Sequence, residues 1–186
     1  MRIISGFYRG KKLNKPKDLT TRPLKDLTKE SIFNIIEHSN KININLSASY
    51  ILDIFSGVGS FGIECLSRGV KKVTFVENYT NVLPILKRNL LELKTNLNYE
   101  IIEKNAYEKD IFFKFTNKLD IIFLDPPYKD KNLFDLLRRI ENSGILKKDG
   151  VIILHRHKNE KDVFPPKFNI IEEKKYGISK IIFLNF

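Results

Sequence analysis

From Tyr50 onward, apolar runs of strand length alternate with segments whose apolar residues recur at helical spacing. Strands are expected at 50–55, 72–77, 99–103, 119–125 and 150–155, with two more at 168–173 and 179–184. Helices are expected between them at 60–68, 79–94 and 132–142, with a short one near 106–113. Strands that alternate with helices form βαβ units, which require a mainly parallel sheet covered on both faces. The last two strands have no helix between them and predict an antiparallel hairpin at one edge. The expected fold is therefore α/β, a doubly wound and mostly parallel sheet.

The first 41 residues have a different pattern. Segments 2–4 and 8–13 predict a short hairpin around Gly6 and Gly10, and Pro16 and Pro23 interrupt the chain beyond it. A helix is expected over 28–38, with Ile32, Phe33, Ile35 and Ile36 as its apolar stripe. Residues 1–41 thus read as a basic arm and helix, and residues 42–186 as the α/β domain.

Composition narrows the classes. The chain has 186 residues, 42% apolar and 30% charged, with one cysteine. It can bury a core unaided, and one cysteine excludes a disulfide framework or multi-cysteine zinc site. No apolar run nears the ~20 residues a bilayer demands, and Met1–Gly6 lacks a signal-peptide core. The expectation is a soluble cytoplasmic monomer. The net charge is +11, and residues 1–41, with ten basic and four acidic residues, hold +6 of it. A basic arm suits a polyanion such as RNA. Arg9, Lys11, Lys12 and Arg22 are the candidate phosphate contacts.

The chemistry concentrates at two strand ends. Asp53-Ile-Phe-Ser-Gly57-Val-Gly59-Ser-Phe-Gly62 spans the first strand-to-helix turn, where glycines allow a ligand close to the main chain. Glu77 ends the second strand, twenty residues after Gly57, where a carboxylate can accept both hydroxyls of a ribose. A nucleoside-containing cofactor is implied, with Asp53, Phe55, Gly57, Gly59, Glu77, Asn105 and Asp125 as candidate contacts. The glycine spacing also matches the dinucleotide fingerprint, so a nicotinamide-dependent oxidoreductase is an alternative. Asp53 favours S-adenosylmethionine, because a carboxylate there repels a pyrophosphate and welcomes a sulfonium. Asn105, after the third strand, could read adenine.

Asp125-Pro126-Pro127-Tyr128 ends the fourth strand. Neither proline has an N–H, so the segment offers acceptors: a carboxylate and backbone carbonyls. Two fixed acceptors suit the two hydrogens of an exocyclic amine, and Tyr128 could stack on the base. Such tetrapeptides also suit adenine N6 in DNA, which is a second alternative. A non-catalytic assembly factor on the same scaffold is a third. His155 and His157 share one strand face but lack a third ligand, so no metal is expected. Glu64 and Cys65 read as structural.

These motifs together resemble a class I S-adenosylmethionine-dependent methyltransferase. The flanks resemble the RsmD-type 16S rRNA guanine-N2 methyltransferases: Arg2-Ile-Ile-Ser-Gly6, Arg9-Gly-Lys-Lys-Leu13, Arg22-Pro23, Phe61-Gly-Ile-Glu64 through Leu66-Ser-Arg-Gly69, and Tyr176-Gly177 with Lys180. The resemblance implies a seven-stranded sheet and methylation of a guanine 2-amino group in small-subunit ribosomal RNA, within an assembled or assembling particle. Ser5, Leu24, Leu27 and His155 depart from the family's usual residues; at His155 an acid is frequent.

Overall fold

The computed structural model describes residues 1–16, 24–93, 98–108, 110–127 and 130–186. Seven strands form one sheet: β1 (Tyr50–Ile54), β2 (Lys72–Val76), β3 (Tyr99–Ile102), β4 (Leu119–Leu124), β5 (Leu146–His157), β6 (Asn169–Tyr176) and β7 (Ser179–Asn185). Their order is β3-β2-β1-β4-β5-β7-β6. The first five are parallel; β7 runs antiparallel between β5 and β6. The doubly wound sheet and its closing hairpin are those expected.

Alternation along the central strands builds two cores. Ile51, Val73, Ile121, Phe123, Ile153 and Phe183 face α1 (Asp26–His38), α2 (Ser60–Ser67) and α3 (Leu83–Leu91). Leu52, Ile54, Ile122, Leu124, Leu154 and Leu184 face α4 (Leu133–Ser143) and a 3-10 turn at Ile111–Lys114. Burial on both faces is why the strands lack a polar side. A stack of three rings ties the first layer together. Phe61 of α2 lies 4.1 Å from Phe123 of β4 and 5.4 Å from Phe33 of α1, centroid to centroid.

Several boundaries differ from the periodicity. The helix expected from residue 79 begins at Leu83. The Glu77 carboxylate takes the N–H groups of Asn78 and Tyr79 at 2.9 and 2.8 Å and holds a turn there, and Pro84 then starts the helix. Of the helix expected near 106–113, the 3-10 turn remains. Asn105 Oδ1 accepts the Tyr107 N–H, a local turn that competes with helix. Strand β5 begins at Leu146 rather than Gly150, because pairing with β4 continues across an irregularity between Leu119 and Ile121.

The amino-terminal segment folds onto α2. Arg2 and Lys12 form the antiparallel bridge of the expected hairpin. Gly6, at φ +82°, comes so close to α2 that a Cβ there would lie 1.8 Å from the Ser67 carbonyl oxygen. Phe7 N–H donates to that carbonyl at 2.8 Å. Glu64 is fully buried and accepts the N–H groups of Ile4 and Ser5 at 2.7 and 2.9 Å, between Lys29 at 3.4 Å and Arg68 at 3.1 Å. Ile3 and Leu13 complete the same core as α1 and α2. Among the described residues no helix is long and apolar enough to cross a membrane.

Candidate functional site

The strand order reverses at β1, which pairs with β2 on one side and β4 on the other. Ligands of open α/β sheets bind at this switch point, outside the carboxyl ends of the strands. The turn after β1 and the loop after β4 meet there. Asp125 N–H donates to the Ile54 carbonyl at 3.3 Å.

The turn after β1 is built from its own residues. Phe55 sits at φ +60°, which is strained for a residue with a β-carbon. Ser56 Oγ–H donates to the Asp53 carbonyl at 2.6 Å, and Gly59 N–H to the Ser56 carbonyl at 2.8 Å. Gly57 and Gly59 lie at φ +56° and +84°. A Cβ on Gly57 would meet nothing within 4 Å, so the space beside it is open to a ligand, whereas Gly59 is backed by Leu86. Glu77 Oε2 accepts the Gly57 N–H at 2.7 Å and ties β2 to the turn. Asp53 is buried, and its Oδ2 accepts the Gly62 N–H of α2 at 2.9 Å.

Burial pushes the Asp53 carboxyl well above its ordinary range, and Asp125 and Glu77 push it further. The buried Asp53 carboxyl, with Asp125 and Glu77 near it, therefore makes the switch point a poor place for further negative charge. Such a site favours a cationic ligand over a pyrophosphate. Among the described residues no three metal-binding side chains gather.

The loop after β4 is held from β5. His155 Nδ1 lies 2.8 Å from Asp125 Oδ1. The next residue, Arg156, leaves β5 toward the other core, and its Nη1–H donates to the Pro127 carbonyl at 3.1 Å. Arg156 is buried and bonds Asp162 at 2.9 Å through Nε; Lys180 of β7 lies 3.2 Å from the same carboxylate. Asp130 N–H also donates to the Pro127 carbonyl, at 2.9 Å. Tyr107 O–H donates to Asp130 Oδ2, and burial with this carboxylate raises the phenol far above its usual range. The Tyr107 ring lies 5.7 Å from that of Phe55.

The structure thus brings Asp53, Phe55, Gly57, Glu77 and Asp125 to one crevice. Pro126 is buried and Pro127 exposed beside it. Asn105 is exposed at the end of β3, with its Oδ1 on Tyr107 N–H. Arg9 and Lys12 are exposed on the arm, while Lys11 donates through Nζ to the Glu92 carbonyl at the end of α3. Tyr128 and Arg22 lie outside the described residues. The arm reaches the turn through Asn89 of α3, whose amide bonds Asn14 and the Val58 carbonyl. Sequence reasoning assigned His155 no partner and overlooked Arg156, Tyr107, Asp130 and Asn89. The signal for His155 was alignment of the carboxyl ends of β4 and β5.

A family model described as "Conserved hypothetical protein 95" matches residues 1–185. A candidate rRNA methyltransferase of Bacillus subtilis, YlbH, is 32% identical over 185 residues, covering 97% of this chain and 96% of that protein. A Haemophilus influenzae protein named "Ribosomal RNA small subunit methyltransferase D" is 32% identical over 182 residues, covering 96% and 90%. The solved structure of yhhF, a candidate methyltransferase from Escherichia coli, matches with a TM-score of 0.82 at 27% identity, over 99% of this chain and 96% of that one.

Proposed function

The chain belongs to the conserved hypothetical protein 95 family, and from that premise we propose that it methylates the 2-amino group of a guanine in small-subunit ribosomal RNA, using S-adenosylmethionine. The substrate is an assembled or assembling small subunit, met by a cytoplasmic monomer. The observation that carries the reading is the Asp125-Pro126-Pro127 loop set beside the open glycine turn at the switch point.

The residues present fit the cofactor. Gly57 leaves room for close approach, Glu77 stands just past β2 for a ribose, and the acidic side chains of Asp53, Glu77 and Asp125 suit a cationic group better than a further anion. Bound there, S-adenosylmethionine would supply an electrophilic methyl to the amine nitrogen, the S–C electron pair remaining with sulfur and one proton leaving the nitrogen.

The chain's own part is to hold the amine. Asp130 and Arg156 occupy the Pro127 carbonyl. The two acceptors for the amine are then the Asp125 carboxylate and the Pro126 carbonyl. Accepting both hydrogens aims the nitrogen lone pair out of the base plane, and fixed near-attack geometry supplies the rate. Asp125 takes the proton released. Arg9 and Lys12, with Arg22, contact RNA phosphates and position the particle without reading sequence.

The test is transfer of labelled methyl groups to small ribosomal subunits lacking the modification, with naked RNA and duplex DNA alongside, followed by digestion to nucleosides. Label is expected in N2-methylguanosine, from the particle. Label in N6-methyladenine from DNA, or none at all, overturns the reading. Asp125→Ala should lower kcat by about 10³-fold while leaving cofactor affinity nearly unchanged.

A further inference from the structure

We propose that His155 is a positioning residue for methyl transfer: its Nδ1–H holds one oxygen of Asp125 from behind and presents the other to the amine. This rests on the methyltransferase reading and adds to it the group that sets the carboxylate's orientation.

Register puts the two residues together. Phe123 of β4 pairs with Ile153 of β5, so Asp125 and His155, each two residues further on, leave the sheet on the same face. Nδ1 lies 2.8 Å from Oδ1. An ionised carboxylate only accepts, so Nδ1 carries the hydrogen. Nε2 is buried and has no hydrogen-bond partner among the described residues. The imidazole is 7% exposed and the Asp125 side chain 22%. The ring therefore sits behind the carboxylate, shielded from competing water, while the carboxylate keeps access to the crevice. A terminal carboxylate turns over a broad, roughly two-fold torsion, and a second anchor removes that freedom.

The surroundings set the charge of the pair. Asp125 faces the ring from the loop after β4, and Arg156 comes next on its own strand, toward the opposite core. The residue opposite on β7 is Ile181, which carries no charge. Burial and Arg156 act to lower the pKa of the ring, the Asp125 carboxylate and its hydrogen bond act to raise it, and the outcome is above the ordinary 6.5. Below that pKa the imidazolium neutralises Asp125 and weakens it as an acceptor. As pH rises through it the ring becomes neutral, keeps its Nδ1–H on Oδ1, and restores the acceptor strength of the other oxygen. Transfer should therefore rise with pH across a window shifted above that of an ordinary imidazole.

The test compares His155→Ala and His155→Asn in the full chain, with kcat and KM measured separately on undermethylated small subunits from acid to alkaline pH. Asparagine can place an amide N–H near the Nδ1 position and does not titrate. His155→Ala should lose about 10²-fold in kcat with both KM values little changed. His155→Asn should recover most of that loss and abolish the acidic limb of the pH profile. Nitrogen-15 NMR of the resting wild-type protein, on the alkaline side of the ring's titration, should show the Nδ1–H tautomer of His155. An active wild type overturns the proposal alone if His155→Ala keeps its rate and profile, if asparagine rescues nothing in a folded protein, or if the ring is an Nε2–H tautomer. A wild type that transfers no methyl group takes down the methyltransferase reading and the proposal together.

Discussion

The turn after β1 and the loop after β4 stand side by side, yet they are held in opposite ways. The turn closes largely on itself: Asp53, Ser56, Gly59 and Gly62 bond one another within ten residues, and Val76 and Glu77 at the end of β2 and Asn89 of α3 anchor it from outside. The loop has two prolines and few donors, and its shape is imposed by β5. Consecutive residues of that strand grip it from both faces of the sheet, His155 at the Asp125 carboxylate and Arg156 at the Pro127 carbonyl. A segment rich in acceptors has few donors of its own, here the Asp130 N–H on Pro127, so most of its restraint comes from elsewhere. The contrast matches the tasks proposed for them. A cofactor cradle needs close backbone approach, and the turn supplies it with glycine. An amine clamp needs unoccupied acceptors at fixed points, and the loop supplies them under outside restraint.

Four substitutions would break or sharpen that contrast. Arg156→Met keeps bulk but leaves Asp162 with Lys180 alone and strips the Pro127 carbonyl of a donor. Removing one member of a buried ion pair costs about 3–5 kcal/mol. Chemical denaturation should show that loss, and kcat should fall with it. Gly62→Ala strikes the turn instead. A Cβ there would lie 2.3 Å from Cε1 of Phe75, overpacking worth about 1–3 kcal/mol. Differential scanning calorimetry should record the lower Tm, and cofactor affinity should drop because Gly62 N–H orients Asp53. The smallest effect is expected away from both. Arg9→Ala and Lys12→Ala should leave kcat intact, weaken particle binding, and each reduce the salt dependence of binding by a slope of about 1. Titrating affinity against salt concentration reads that directly.

Legibility in the chain divides along the same line. Glycine spacing, Asp53 and Glu77 were legible because the turn's geometry is local to one stretch of sequence. The tetrapeptide was legible as a set of acceptors, since proline lacks an N–H wherever it stands. The restraint on it was not. His155 lies 30 residues from Asp125, and only the pairing of Phe123 with Ile153 brings them together. Arg156 looks in sequence like the charged end of a strand. Its burial depends on Asp162 and Lys180, which arrive from a loop and from β7. Periodicity located every strand, but it placed the start of α3 four residues early. A side chain, Glu77, holds the turn where the pattern alone would continue a helix.

Glu64 has a consequence for recognition. Its carboxylate gathers the N–H groups of Ile4 and Ser5 beneath Lys29 and Arg68, so the start of the arm has one conformation in the unbound protein. Ordering a backbone residue sacrifices about 1–2 kcal/mol of conformational entropy. For these residues that sacrifice falls on folding of the domain and is absent from the encounter with a polyanion. A tethered basic tail would instead lose that freedom at every binding event. On the proposed reading, the described start of the arm would already be ordered when it meets RNA, with its charges there needing to be matched and not also arranged.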